Sequence, residues 1–182
     1  MLENHDREQY FFDPPTVKTL ADFAQEFKYP CLLGMPTVAQ ELARRKKEFR
    51  LLDIDERFVD IPGYRKFNLY KPLWTGEEHG IILVDPPFWK VKLSQLFDAI
   101  HLLSGFMFSQ KLGITYLVRR EGALLGTFAR FGLHSTGYEP GYVTVQPEAK
   151  NRVGLYSNVD EHLLRVLHKG PETPKEIGRE QR

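Results

Sequence analysis

An α/β fold on an open, mostly parallel sheet is the architecture this sequence predicts, and three observations predict it. Strand-like apolar runs alternate with helix-like apolar stripes along most of the chain, as in successive β–α units. The clearest buried run, Gly80 to Val84, has four consecutive apolar residues and no polar one. The last two strand candidates are joined only by a short polar connection. That forces them to be antiparallel, because a parallel crossover needs about a dozen residues or more. The expectation is a seven-stranded sheet ending in an antiparallel pair.

Taken in order, Asp13 suits a helix cap and Pro14 a first helical residue. Val17, Leu20, Phe23, Ala24 and Phe27 then share one helical face. Cys31 to Leu33 is a short strand closed by Gly34. Thr37 and Gln40 have capping-box spacing for a second helix, which buries Val38 and Leu42 and exposes Arg44, Arg45, Lys46 and Lys47. Leu51 to Ile54 is the next strand, followed by a weak one near Phe67 to Tyr70 and then Gly80 to Val84. Leu93, Leu96, Phe97, Ile100 and Leu103 make the strongest helical stripe. Ile114 to Val118 is a strand, and Leu124, Phe128 and Phe131 form a helical face that stops at Gly132. Tyr142 to Val145 and Val153 to Tyr156 complete the strands. Residues 1–168 read as one domain and Lys169 to Arg182, rich in Gly, Pro and charge, as a flexible tail.

The 182 residues suit one domain with a full core, and 42% apolar with 27% charged residues reads as globular. A formal net charge of +1 disfavours gripping nucleic acid by overall charge alone. A nucleic-acid binder of this composition needs its basic residues gathered in one place, or an accessory subunit. Cys31 is the single cysteine, so no intramolecular disulfide forms, and no histidine pairs with it at metal-ligand spacing. No metal site is expected. No signal peptide or membrane span is evident, so an intracellular location, cytoplasmic or nuclear, is expected.

Ligands of open α/β sheets bind beyond the carboxyl ends of the strands. Four loops qualify: Gly34-Met35-Pro36, Asp53 to Asp55, Asn68 onward, and Asp85 to Trp89. The last is the most informative, because Asp-Pro-Pro occurs twice. At Asp13-Pro14-Pro15 it precedes a helix and capping explains it. At Asp85-Pro86-Pro87 it follows a buried strand and leads into Phe88 and Trp89. Two prolines fix two φ angles and remove two N–H donors. What remains is a rigid rim of carbonyls beside a carboxylate and an aromatic ring. An exocyclic amino group needs two acceptors and a flat face to stack on, and Asp85, the Pro86 carbonyl and Phe88 supply them. The plainer alternative is that Asp85 ends a strand in a tight turn. Asp53 and Asp55 could hold a ribose through its hydroxyls, or be two solvated carboxylates flanking Ile54. No G-x-G-x-x-G is present, so a standard dinucleotide site is not expected.

Several segments together resemble the eukaryotic N6-adenine methyltransferase-like group. That group includes a zinc-finger CCHC ribosomal RNA adenine N6-methyltransferase and an elongation factor 1A lysine methyltransferase. The similarity runs through Gln9-Tyr10-Phe11-Phe12, Leu33-Gly34-Met35-Pro36-Thr37, Leu51-Leu52-Asp53-Ile54-Asp55-Glu56-Arg57-Phe58 and Lys66-Phe67-Asn68. It continues through Ile81-Ile82-Leu83-Val84-Asp85-Pro86-Pro87-Phe88 and Lys150-Asn151-Arg152 to Tyr156-Ser157-Asn158, spanning roughly residues 9–159. The resemblance implies a class I, Rossmann-like methyltransferase fold with S-adenosylmethionine as methyl donor and S-adenosylhomocysteine as product. Asp85, Pro86, Pro87 and Phe88 become the catalytic motif. Gly34, Met35 and Pro36 line the cofactor, Asp53 or Asp55 holds its ribose, Asn68 lies near its adenine, and Tyr10, Phe11 and Phe12 close over it. Trp89, Lys150, Asn151 and Arg152 become substrate contacts. Two departures stand out: the Gly-rich first motif is reduced to Gly34-Met35-Pro36, and there are no cysteines for the RNA enzyme's zinc-binding domains.

The function expected is methyl transfer to adenine N6 of RNA or DNA, with RNA favoured. Two other readings stay open, protein lysine methylation and a non-catalytic adaptor that keeps the fold.

Overall fold

The structure is a computed structural model that describes residues 2–146 and 148–169. Seven strands form one sheet: β1 (Cys31–Leu33), β2 (Arg50–Asp53), β3 (Tyr64–Lys66), β4 (Ile82–Val84), β5 (Leu112–Leu117), β6 (His134–Ser135) and β7 (Val153–Ser157). Their spatial order is β3-β2-β1-β4-β5-β7-β6. Strands β1 to β5 pair in parallel, and β7 is antiparallel to both β5 and β6. The strand order reverses between β1 and β4, the place where open α/β sheets leave a crevice.

Alternate strand residues feed two cores, as the two-residue period of a pleated strand requires. Leu32, Leu51, Leu83 and Leu155 face α1 (Pro14–Ala24), α2 (Pro36–Arg44) and the C-terminal helical segment from Glu161 to His168. Cys31, Leu52, Ile82, Val84, Ile114 and Tyr156 face α3 (Leu93–Leu103) and α4 (Glu121–Thr127). The result is a three-layer α/β/α sandwich. Asp13 caps α1, its Oδ1 accepting the Thr16 amide at 2.9 Å. The face built on Leu124, Phe128 and Phe131 ends where Gly132 turns to φ +71°.

Several elements depart from the sequence reading. Tyr142 to Val145 is not a strand of the sheet; β6 is His134–Ser135. The backbone at 141–143 is extended, but its partners lie in the N-terminal segment. The Asp13 amide donates to the Gly141 carbonyl (3.0 Å) and the Val143 amide to that of Phe11 (2.9 Å). Alternating β-formers mark an extended backbone without choosing its partner. The weak strand near Phe67 to Tyr70 is β3, at Tyr64–Lys66, because the chain turns at Asn68, whose Oδ1 accepts the Tyr70 amide (2.9 Å). Helix α2 starts at Pro36, so Thr37 is inside it and no side chain caps it. Arg45 is not an exposed cation, since it pairs with Asp22 (2.6 Å) and Glu41 (2.7 Å). The segment Glu161 to His168 carried no helical signal and packs on α1 through Leu164 and Leu167. Of the expected tail, Gly170 to Arg182 lies outside the described residues. Among the described residues no helix is long and apolar enough to cross a membrane.

Candidate active site

A cavity of about 710 Å³ opens at the carboxyl ends of β1, β2 and β4. Its floor is Leu33, Gly34, Leu52, Asp53 and Asp85; one wall is Phe67 to Tyr70, and the other is the N-terminal segment from Arg7 to Tyr10. The volume lies within the span of small-molecule sites, about 300–1,000 Å³.

Asp85 stands one residue past β4, its amide donating to the Leu33 carbonyl at 3.0 Å. Gly34, at φ +73°, allows that approach, because a Cβ there would lie 2.7 Å from the Asp85 carbonyl oxygen. Oδ1 of Asp85 accepts two hydroxyls, from Thr115 of β5 and from Tyr142 at 2.8 Å. Oδ2 accepts nothing from the described residues, and Asp85 lines the cavity. Burial pushes the Asp85 carboxyl up to about 7, against the two hydroxyls, which favour the charged form.

The two acidic residues at the end of β2, Asp53 and Asp55, differ. Asp55 is consumed: Arg57 reaches it by Nε (2.9 Å) and Nη2 (2.6 Å), the Arg57 amide at 3.0 Å and Gln9 Nε2 at 3.2 Å. Its Arg57 partner holds the carboxyl down to about 2. Asp53 has one oxygen on the Asp55 amide (2.8 Å), while burial, helped by the neighbouring Asp55 charge, raises it to about 6. Its other oxygen accepts no hydrogen bond from the described residues.

Of the residues expected in the site, Asp85, Pro87, Gly34, Asp53, Asp55, Asn68 and Tyr10 line the cavity. Met35, Pro36, Phe11, Phe12 and Pro86 are buried behind its surface. The reason is packing: Met35 and Pro36 start α2 on the core, Phe11 meets the Phe58 ring at 6.4 Å and Phe12 meets Tyr142 at 4.9 Å. Phe88 packs edge-on against Tyr116 at 5.8 Å and does not line the cavity. Lys150 to Arg152 sit at the same end of the sheet, just before β7, but outside the cavity. There Lys150 pairs with Glu148 (3.0 Å), Arg152 pairs with Glu139, and the Asn151 amide bonds the Glu148 carbonyl (2.8 Å). Trp89 is 62% exposed, with the Arg119 and Arg120 guanidinium groups 4.8 and 5.9 Å from its ring.

Sequence reasoning missed Thr115, Tyr142, Glu8 and Gln9. Glu8 accepts the Lys90 amide (2.8 Å) and the Trp89 amide (3.2 Å), tying the N-terminal segment to the Asp85 loop. Thr115 had a usable signal, a hydroxyl in the fully buried Leu112–Leu117 run. Tyr142 had none beyond β-propensity. Among the described residues no cluster of His, Cys, Asp or Glu suits a metal ion.

The profile of the family described as "Probable N6-adenine methyltransferase" matches residues 3–161. No curated protein matches the sequence. Among solved structures, a chain of the E. cuniculi Mtq2–Trm112 complex responsible for methylation of the eRF1 translation termination factor is similar. It is 14% identical, with TM-score 0.50, over 81% of this chain and 96% of that one. The ribosomal protein L11 methylase of Lactobacillus delbrueckii subsp. bulgaricus is 11% identical, with TM-score 0.48, over 86% of this chain and 79% of that one.

Proposed function

The chain belongs to the N6-adenine methyltransferase family, and from that premise we propose that it methylates the N6 amine of adenine in single-stranded nucleic acid, RNA before DNA. The observation that carries the proposal is Asp85, on the cavity floor at the switch point of the sheet, whose Oδ2 accepts nothing from the described residues.

The residues present fit S-adenosylmethionine. Asp53 offers a free oxygen to a ribose diol, Gly34 keeps the floor open, and Asn68 and Tyr10 flank the opening. Bound there, the donor supplies an electrophilic methyl group on a sulfonium. Everything else falls to the chain. Asp85 Oδ2 accepts one amine N–H and so orients a nitrogen whose lone pair is otherwise delocalised into the ring. Pro86 and Pro87 keep the loop stiff, so that most of the rate comes from positioning. As N6 takes the methyl group it releases one proton, which a carboxyl ionising near 7 can receive. A base within a duplex must first be flipped out, which favours single strands and loops.

Support for nucleic acid comes from the rim. Trp89 is exposed, with Arg119 and Arg120 at its ring and Lys90 and Lys92 one and three residues further along the chain. Among the described residues none of these four cations pairs with a carboxylate. One stacked base contributes about 1–3 kcal/mol. The second reading, protein lysine methylation, draws on the same near-neutral Asp85, because a lysine ammonium must lose a proton before it attacks.

Labelled methyl donor with RNA, DNA and lysate tests the choice. The expected product is N6-methyladenine in nuclease digests; label only in nuclease-resistant protein bands overturns the adenine reading. Calorimetry with S-adenosylhomocysteine tests the cofactor assignment, with Asp53→Ala weakening binding about tenfold or more.

A further inference from the structure

We propose that Thr115 and Tyr142 are positioning residues that together clamp one oxygen of Asp85 and so aim the other at the substrate amine. The proposal rests on Asp85 acting as the amine acceptor, and it extends that role to two residues outside the Asp-Pro-Pro-Phe motif.

A free aspartate rotates about two side-chain bonds, so its acceptor lone pairs sweep a wide arc. At Asp85 two hydroxyl donors from different parts of the fold converge on Oδ1. One rises from the middle of β5, and the other comes from the 141–143 segment, which pairs with the N-terminal segment at Phe11 to Asp13. Two donors from separate elements on one atom hold the carboxylate against rotation, and with it Oδ2. Three backbone elements pack against Asp85: the turn at Gly34, β5 and the 141–143 segment. Tyr142 is the one titratable group they bring to it, and burial and the Asp85 charge keep its proton in place.

Packing does not explain either hydroxyl. Thr115 is fully buried in an interior strand, where valine has the same shape and no polar atom to satisfy. The Tyr142 ring lies 4.9 Å from that of Phe12, a contact phenylalanine would make equally well. The oxygen atoms are the features that need a reason: the Tyr142 hydroxyl ends on Asp85, and the Thr115 hydroxyl lies nearer to Asp85 than to its other acceptor, the Val84 carbonyl at 3.3 Å.

The Tyr142 arm is itself anchored. The Gly141 amide donates to Thr16 Oγ at 2.9 Å and its carbonyl accepts the Asp13 amide at 3.0 Å. A Cβ on Gly141 would lie 2.2 Å from Asp13 Oδ2, so a side chain there would have to displace the capping carboxylate of α1. The segment that carries the tyrosine hydroxyl is thereby tied to the start of the first helix.

The test uses the full chain and three variants, Thr115→Val, Tyr142→Phe and Thr115→Ser, with methyl transfer to an adenine-containing single-stranded RNA. It adds calorimetry with S-adenosylhomocysteine and ¹³C titration of the aspartate carboxyls in that complex. Thr115→Val and Tyr142→Phe should each lower kcat about tenfold, the size of one lost hydrogen bond to a charged group. Affinity for S-adenosylhomocysteine should change less than about twofold, the split that marks lost orientation rather than lost binding. Removing a donor should move the Asp85 carboxyl titration to higher pH, and Thr115→Ser should restore both rate and midpoint. Unchanged kcat with an unmoved titration overturns the clamp, as does a parallel fall in kcat and cofactor affinity. If the parent chain labels no nucleic acid, the adenine reading fails by itself. The carboxyl titration then decides the clamp alone, and an unmoved midpoint overturns it.

Discussion

The tripeptide Asp-Pro-Pro appears twice and does two different things. At Asp13 the carboxylate turns back on its own helix and accepts the Thr16 amide, and Pro14 and Pro15 open an eleven-residue helix. At Asp85 no local amide takes the carboxylate. Phe88 and Trp89 follow instead of helix-ready residues, α3 waits until Leu93, and Oδ1 goes to hydroxyls thirty and fifty-seven residues away. One carboxylate is used up by local structure; the other is half-engaged by tertiary structure and keeps an oxygen in reserve. The two are also joined, since Gly141 touches Asp13 while its neighbour Tyr142 holds Asp85. A carboxylate is available for chemistry where the fold satisfies it only in part.

The sharpest way to break this comparison is to neutralise each aspartate. Asp85→Asn should cut methyl transfer about a hundredfold or more while S-adenosylhomocysteine still binds. A loss under about threefold would remove Asp85 from the reaction. Next is Gly141→Ala, which strikes both sites at once: it should lower transfer about tenfold and also destabilise the fold by roughly 1–3 kcal/mol, measured by urea unfolding.

The pH dependence separates the pair in a third way. Asp85 ionises near 7 in the folded chain and near 4 once unfolded, about 3.9 for a free aspartate. Between those values the unfolded state binds fewer protons, so this group makes stability fall as pH rises from about 4 to about 7. Asp85→Asn should therefore raise Tm above the parent at pH 8, with the difference vanishing below about pH 4. Over the same range methyl transfer by the parent chain should climb with a midpoint near 7 as the acceptor ionises. The smallest effect is Asp13→Ala, a lost cap costing about 1 kcal/mol, or about 2–4 °C in Tm for a chain of this size. Transfer at saturating substrate should stay within about threefold, because Gly141 still bonds Thr16 and the Asp13 backbone.

Much of the fold was legible because burial leaves local traces. Ile81 to Val84 is apolar at every position, since it lies in the interior of a sheet covered on both faces. Asp13-Pro14 starts α1 because a cap and a preset φ are properties of the residues themselves. The site was legible in outline for the same reason: Asp85, Gly34, Asp53 and Asn68 end strands or begin turns. Phe88 reads in the sequence as a stacking face because an aromatic ring follows the Asp85 turn directly; in the fold it sits edge-to-face with Tyr116 and outside the cavity lining. Tyr142 to Val145 misled because its pairing partner lies about 130 residues away in the N-terminal segment, and no local pattern carries that distance.

By itself, then, the sequence determined the alternation of strands and helices, the stiff proline turn after the fourth strand and the carboxylate in it. These follow from residue-by-residue preferences for burial, φ and capping. Only the tertiary structure decided which acidic residue at the end of β2 stays available, which oxygen of Asp85 is left open, and that Thr115 and Tyr142 hold the other. Those outcomes depend on hydrogen-bond partners that meet only when the sheet order is set and the N-terminal segment crosses its end.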